Sequence, residues 1–323
     1  MFIAFLGFQD SGIVAKDAAT GVTLASFNLL GSANWASIMP MVVTILTIIA
    51  ITVLAHKKVK GAVLYGILGG AVLYYLLGLT IPGFYAGLGL SIQSPFAAFK
   101  DFAKLSFGKV FTQGFNFTGY LASHSVASLV VAFITTSLAF CLVDMFDTMG
   151  TLYGACRGGN LLTAEGEVPR GEKAMFADAV ATCAGAVCGT STVTTYVESA
   201  AGIGAGGRTG LTSIVTAGMF LVATFLSPIA MLIPACAYSA ALIYVGILMM
   251  SCVLDIEWTK PEVAIPAFLC MVMMPFTYSI SYGIAFGLIA YCLIKIFRGK
   301  FIQVKLGTWI ITILFALMLL LSH

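Results

Sequence analysis

The chain has 323 residues and a mass of 34.0 kDa; 60% of its residues are apolar and 9% charged, with a mean hydropathy of +1.04. Soluble domains are about 45–50% apolar and about 25% charged, so the composition excludes soluble enzymes, nucleic-acid binders and disulfide scaffolds and predicts an integral membrane protein. The net charge of +3 is too mild to point to a partner.

A membrane-spanning helix needs about 20 apolar residues. Residues 1–8 are too few and meet Gln9, Asp10, Ser11 and Gly12 at once. They read as the tail of a helix whose beginning is absent, or as a short interfacial helix. Uncharged runs long enough to span lie at 37–55, 61–81, 126–143, 211–234 and 235–254. The run 263–294 is too long for one span, and the Pro275–Ser279 stretch is expected to divide it into two helices. The run 306–322 is short, hence tilted, interfacial or re-entrant. Residues 82–125 form an external loop region, ordered as such or holding one short interfacial helix. The stretch 174–210 starts helical and turns into Thr/Val/Gly-rich sequence.

Loop charges set orientation, Lys and Arg gathering on the cytoplasmic side. With His56–Lys60 placed there and the spans alternating, the cytoplasm receives Lys57, Lys58, Lys60, Arg157, Arg170, Lys173, Arg208, Lys260, Lys295, Arg298, Lys300 and Lys305. The outside receives only Lys16, Lys100, Lys104 and Lys109. The bias fits the span assignment, provided 174–210 crosses twice.

The eight cysteines mostly sit in apolar runs with no C-x-x-C pair, and read as free thiols. His56, His124 and His323 are scattered, so neither a metal nor another cofactor is expected. Gly202–Gly207 imitates a dinucleotide loop without its strand–turn–helix setting and reads as helix packing. No phosphate-binding GxxxxGK[ST] loop occurs.

Of the thirteen acids, ten lie in loops or near helix ends; Asp144, Asp147 and Glu198 do not. An acid at the bilayer centre costs about 2.5–3.5 kcal/mol on insertion scales, and such residues usually face a bundle interior or a wet cavity. Asp144 and Asp147, at i, i+3, share one helix face with no cation in their segment. Desolvation and mutual repulsion would suit one of them to load and unload a proton. The alternative is a pair of solvated helix-end charges. Glu198 closes Thr192–Val197, a β-branched and aromatic stretch with strand composition, ahead of a small-residue helix. A strand at membrane depth is tolerated only where protein or a cavity satisfies its backbone, as in the broken helices that form transporter sites. The alternative for Glu198 is an ordinary interfacial helix end.

Three segments together resemble a known family: Val143–Leu152 (VDMFDTMGTL), Gly189–Gly202 (GTSTVTTYVESAAG) and Gly207–Thr212 (GRTGLT). They are similar to the nucleobase:cation symporter-2 family, in its AzgA-like adenine/guanine/hypoxanthine permease branch, with looser likeness over 264–268 and 273–279. The resemblance implies an all-α polytopic membrane protein: an inverted-repeat transporter of fourteen segments, with core and gate domains and a short intramembrane strand in a broken helix. On that pattern the first four segments are missing. Residues 1–81 are then the remnant of the first repeat, carrying gate helices, 82–125 the external loop region, 126–234 the core, and 235–323 gate helices and the C-terminal segment.

The resemblance also implies site residues. Asp144 falls at the eighth segment's carboxylate and Glu198 at the tenth's; Asp147 matches a second acid of this branch. Thr148 stands where related uracil carriers have histidine, and Tyr196 and Val197 match strand residues whose backbone contacts the base. The implied activity is uptake of a purine nucleobase across the cytoplasmic membrane with a proton or other cation, in a lipid bilayer, without nucleic acid, with a second copy of the chain as a candidate partner. Rival readings are a same-fold carrier of uracil, xanthine or an anion, a membrane-embedded enzyme using Asp144 and Asp147 as a dyad, and an inactive fragment.

Overall fold

The computed structural model of the chain describes residues 2–17, 21–28, 34–59, 61–87, 96–196, 199–204 and 206–321. In hydrocarbon, backbone N–H and C=O groups must pair within their own segment, and the apolar runs are accordingly helical. In chain order they are α1 (Phe2–Asp10), an antiparallel hairpin of β1 (Val14–Asp17) and β2 (Gly21–Leu24), α2 (Trp35–His56) and α3 (Ala62–Gly78). Four short helices follow: α4 (Phe84–Gly87), α5 (Ala97–Asp101), α6 (Lys109–Thr112) and α7 (Thr118–Leu121), with a π-turn at Phe102–Ser106. Then come α8 (Val126–Gly158), α9 (Gly171–Cys188), α10 (Ser199–Gly204), α11 (Gly210–Phe225), α12 (Ser227–Ala230) and α13 (Ala235–Met249). α14 (Pro261–Thr277), α15 (Ile280–Phe297) and α16 (Leu306–Leu321) complete the chain.

Four of these stretches, Trp35–His56, Val126–Gly158, Ala235–Asp255 and Ile280–Phe297, are long and apolar enough to cross a membrane among the described residues. The chain is a multi-pass membrane protein. Pro275–Ser279 divides the 263–294 run as expected: Tyr278 caps α14 with φ 53°, and the Ser279 hydroxyl caps α15 by accepting from Tyr282 N–H.

Other boundaries differ from the sequence reading. The expected single span at 211–234 breaks after Phe225, because Pro228, in the first turn of α12, donates no backbone N–H to a continuing helix. The apolar run 126–143 continues as helix to Gly158, since charge rather than a helix breaker ends the run. The 82–125 region holds several short helices rather than one, punctuated by Gly108 in the left-handed region. Thr192–Tyr196 is neither helix nor ladder-paired strand among the described residues; Val197 lies outside them. The hairpin β1–β2 was not foreseen.

The chain forms two compact units. The first comprises residues 1–98 and 219–253, the second residues 99–218 and 254–323. In the first, Met39, Val43 and Cys236 form a buried cluster, and Thr44 donates to the Cys236 carbonyl at 3.0 Å. α2 meets α3 at Gly66 and Gly70, where an added Cβ would strike Ile51 and Thr47. Small residues at i, i+4 let membrane helices approach closely where lipid offers no hydrophobic drive for association.

In the second unit α14 and α15 form an antiparallel pair closed by charges. Glu262 accepts from Arg298 at 2.7 Å and pairs with Lys295 at 3.5 Å, and Arg157 at the end of α8 pairs with Asp255. Arg157, Lys295 and Arg298 are thus each paired with an acid of the 255–262 stretch.

Gly70→Ala should lower thermal stability by about 1–3 kcal/mol through overpacking against Thr47. Gly69→Ala, whose Cβ would meet nothing within 4 Å, should be neutral or stabilising, as Ala favours helix. Thermal unfolding of the detergent-solubilised pair checks this.

Candidate functional site

α8 carries two faces because residues advance about 100° each along a helix. On one side Leu142, Met145 and Phe146 pack with Ile284 and Ala285 of α15 and Phe315 and Met318 of α16. Asp144, Asp147, Thr148 and Thr151 lie on the other. Thr148 is fully buried, whereas Asp144 and Asp147 are partly buried. α8 runs ten residues beyond Asp147 before Arg157, or about 15 Å at 1.5 Å per residue, so neither acid stands at a helix end.

The polar face of α8 meets α9 in a reciprocal pattern. Thr148 Oγ1 donates to Asp178 Oδ2 at 2.6 Å, and Thr182 Oγ1 lies 3.4 Å from Asp144 Oδ2. Each helix contributes an aspartate and, four residues later, a threonine on the same face. Because the helices are antiparallel, each aspartate meets the other's threonine. No Lys or Arg pairs with Asp144, Asp147 or Asp178 among the described residues, so hydroxyls carry the satisfaction of these carboxylates.

A third strip completes the arrangement. After α9, Gly189 turns the chain back with φ 73°, where a Cβ would lie 2.6 Å from the Ser106 carbonyl oxygen. Both facts demand glycine. The returning segment lays Thr192 Oγ1 on Asp144 Oδ1 at 2.7 Å, the Val193 carbonyl on Thr182 Oγ1 at 2.7 Å, and Thr194 Oγ1 on Thr148 Oγ1 at 3.0 Å. The registers match: four helical residues rise about 6 Å and two extended residues about 6.6 Å. Thr192 and Thr194 therefore fall opposite Asp144 and Thr148. Asp147 stands one turn from Asp144 on the same face of α8, and because Thr148 donates to Asp178, the Thr194 hydroxyl donates to Thr148.

An ionised carboxylate offers about four lone-pair sites. Asp144 uses two at most, and its partial exposure leaves acceptor capacity for an N–H donor from a ligand. A separate concavity of about 430 Å³, lined by Thr135, Thr136, Ser279 and Ser281 among others, has no carboxylate and sits two turns along α8 from Asp144.

Of the residues singled out in the sequence, Asp144, Asp147 and Thr148 come together, and Tyr196 is exposed at the end of the returning segment. Val197 and Glu198 lie outside the described residues. Asp178 is a correction: it is not near a helix end but inside α9, aimed at α8. It was legible as a second D-x₃-T, Asp178–Thr182, echoing Asp144–Thr148, with the T-x-T of Thr192–Thr194 to match. The eight cysteines are free and, among the described residues, no group of acids, cysteines or histidines is placed to hold a metal.

The family model described as "Permease family", that of the xanthine/uracil permeases, matches residues 1–286. The chain belongs to this permease family. It is 32% identical over 322 residues to the adenine permease AdeQ of Escherichia coli, covering 99% of this chain and 65% of that protein. It is 34% identical to the guanine/hypoxanthine permease PbuO of Bacillus subtilis (99% of this chain, 67% of that protein) and 36% to PbuG of the same organism (99% and 66%). The chain thus spans about two thirds of the length of the relatives it matches. Membership sets the chain among permeases, which tells against the aspartyl-dyad reading.

Thr148→Val should strip Asp178 of its donor and destabilise the protein by about 1–3 kcal/mol, the usual result of leaving a buried polar partner unmet. Thr148→Ser, which keeps the hydroxyl, should recover most of that. Melting temperatures of the two variants measure the difference.

Proposed function

We propose that the protein carries purine nucleobases across the cell membrane in symport with a proton. The reading is supported above all by Asp144, a half-buried carboxylate in a membrane helix held by threonine hydroxyls rather than by a cation. Such a group has no fixed counter-ion among the described residues, and it keeps lone pairs for a ligand. Purines present ring N–H donors and ring acceptors on a flat apolar body. The names of AdeQ, PbuO and PbuG specify adenine or guanine and hypoxanthine, in keeping with this class.

In this proposal Asp144 carries the coupling proton and accepts from the base, and Glu198 is a second acceptor for ring N–H groups. Backbone N–H groups near Tyr196 and Val197 donate to the base's carbonyl or ring nitrogens. Thr148, wholly buried with its hydroxyl committed, braces Asp178 and the returning segment rather than touching the base. Asp147 tunes Asp144 through its charge. Residues 126–234 act as the core that holds the base, and the helices within 1–81 and 235–323 act as the gate beside it. Relative movement of the two gives alternating access.

Uptake of radiolabelled hypoxanthine by cells lacking their own purine carriers tests the reading. Loss of a charge-assisted hydrogen bond, about 1.5–3 kcal/mol, should lower uptake by at least about tenfold in Asp144→Asn and in Glu198→Gln. A protonophore should abolish accumulation, and excess unlabelled adenine or guanine should compete where uracil does not. Uptake at wild-type rates in both variants would remove these roles.

A further inference from the structure

Thr182 sits between two acceptors with one proton to give. Its Oγ1 lies 2.7 Å from the Val193 carbonyl oxygen and 3.4 Å from Asp144 Oδ2. A hydroxyl has one donor and two acceptor positions, so it cannot donate to both at once. Which one receives the proton depends on the state of Asp144. When the carboxylate is ionised, the charge-assisted bond is the stronger, and the hydroxyl turns to Asp144 and releases Val193. When a proton from water neutralises Oδ2, the acid becomes the donor. Thr182 then accepts from Asp144 and gives its own proton to Val193.

We infer that Thr182 is a positioning residue that transmits the protonation state of Asp144 to the backbone of the returning segment at Val193. The inference rests on the reading of Asp144 as the proton-carrying group. Val193 is three residues from Tyr196, where the proposed base contacts begin; Thr192 and Thr194 hold the segment by their side chains on either side, and Thr182 reaches its backbone between them. One hydroxyl rotation therefore ties or frees the Val193 carbonyl, in the middle of the stretch of chain that would lead to the base. The consequence for transport is an order of events: proton loading firms the segment, and the base binds to the firmed form.

The other charged and titratable groups around Asp144 do not duplicate this link. Asp147 on α8 and Asp178 on α9 bear on it by charge. α6, packed on α9, brings Lys109; α7, packed on α8, brings Tyr120. Of the groups on α15, Lys295 is paired with Glu262, and Tyr282, Tyr291 and Cys292 are the others; α10 and α16 carry neither acid nor base. Thr192, itself part of the returning segment, donates to the other carboxylate oxygen, Oδ1, at 2.7 Å; that bond ties the segment to Asp144 whether or not Oδ2 is protonated, and it leaves the Val193 carbonyl to Thr182.

The test is pH-difference infrared spectroscopy of the purified 323-residue chain in lipid vesicles. The wild type should show a carboxyl band that titrates together with an amide carbonyl change, and Asp144→Asn should lose both. Thr182→Val, which keeps the shape and removes the hydroxyl, should keep the carboxyl band and lose the amide change; Thr182→Ser should restore it. An amide change undiminished in Thr182→Val, or absent from the wild type while the carboxyl band titrates, would overturn the inference and leave the purine-carrier reading standing. Absence of any band assignable to Asp144 would overturn both. Loss of hypoxanthine uptake with the infrared pattern intact would sink the transport reading alone. Should Thr182→Val fail to fold, the inference still fails if Thr182→Ser titrates without the amide change.

Discussion

The arrangement depends on a single constraint: three carboxylates lie along α8 and α9 with no Lys or Arg paired to them among the described residues, and threonine hydroxyls bind Asp144 and Asp178 instead. A threonine is well suited to this. It adds little polarity beyond one O–H, its branched Cβ is stiff, and its hydroxyl can turn between partners without moving the backbone. The reciprocal exchange between Asp144–Thr148 and Asp178–Thr182 distributes this satisfaction so that neither α8 nor α9 is polar without the other. Removing either helix would leave the other's acid without its threonine donor.

That exchange also explains why the chain must stop being helical after Cys188. Another turn of α9 would carry the following threonines away from α8. Reversal at Gly189 instead brings Thr192 and Thr194 back alongside, in the extended register that matches a helix turn. The unpaired backbone this creates is tolerable because side chains reach it, as Thr182 reaches the Val193 carbonyl. The apolar opposite face of α8, around Leu142 and Phe146, anchors the helix against α15 and α16, so the polar side has a fixed platform.

The sequence disclosed much of this by elementary means. Hydropathy located α2 and α3, and the Pro275–Ser279 stretch marked the α14–α15 division, where Tyr278 adopts a left-handed conformation between two apolar stretches. Asp144 and Asp147 stood out because they followed an apolar run with no cation nearby. Asp178 escaped notice because Glu172 and Lys173 stand in the first turn of the same helix, so its acid looked like one more near a charged end. The long-range pairing that reveals it exists only once two distant segments are antiparallel. Ends were harder than middles: Pro228 cuts the 211–234 run, while nothing in Asp144–Gly158 breaks α8, and charge is a poor guide to where a helix stops.

The length of α8 carries a consequence of its own. Thirty-three residues make a rod of about 50 Å, whereas the hydrocarbon is about 30 Å thick. Such a helix has to lean or protrude, and with Arg157 tethered to Asp255 at one end, the lean alters the depth of everything above it. Membrane thickness, set by lipid chain length, thereby becomes a dial on how far Asp144 sits from water, so that the lipid as well as the neighbouring side chains sets the surroundings of that carboxyl.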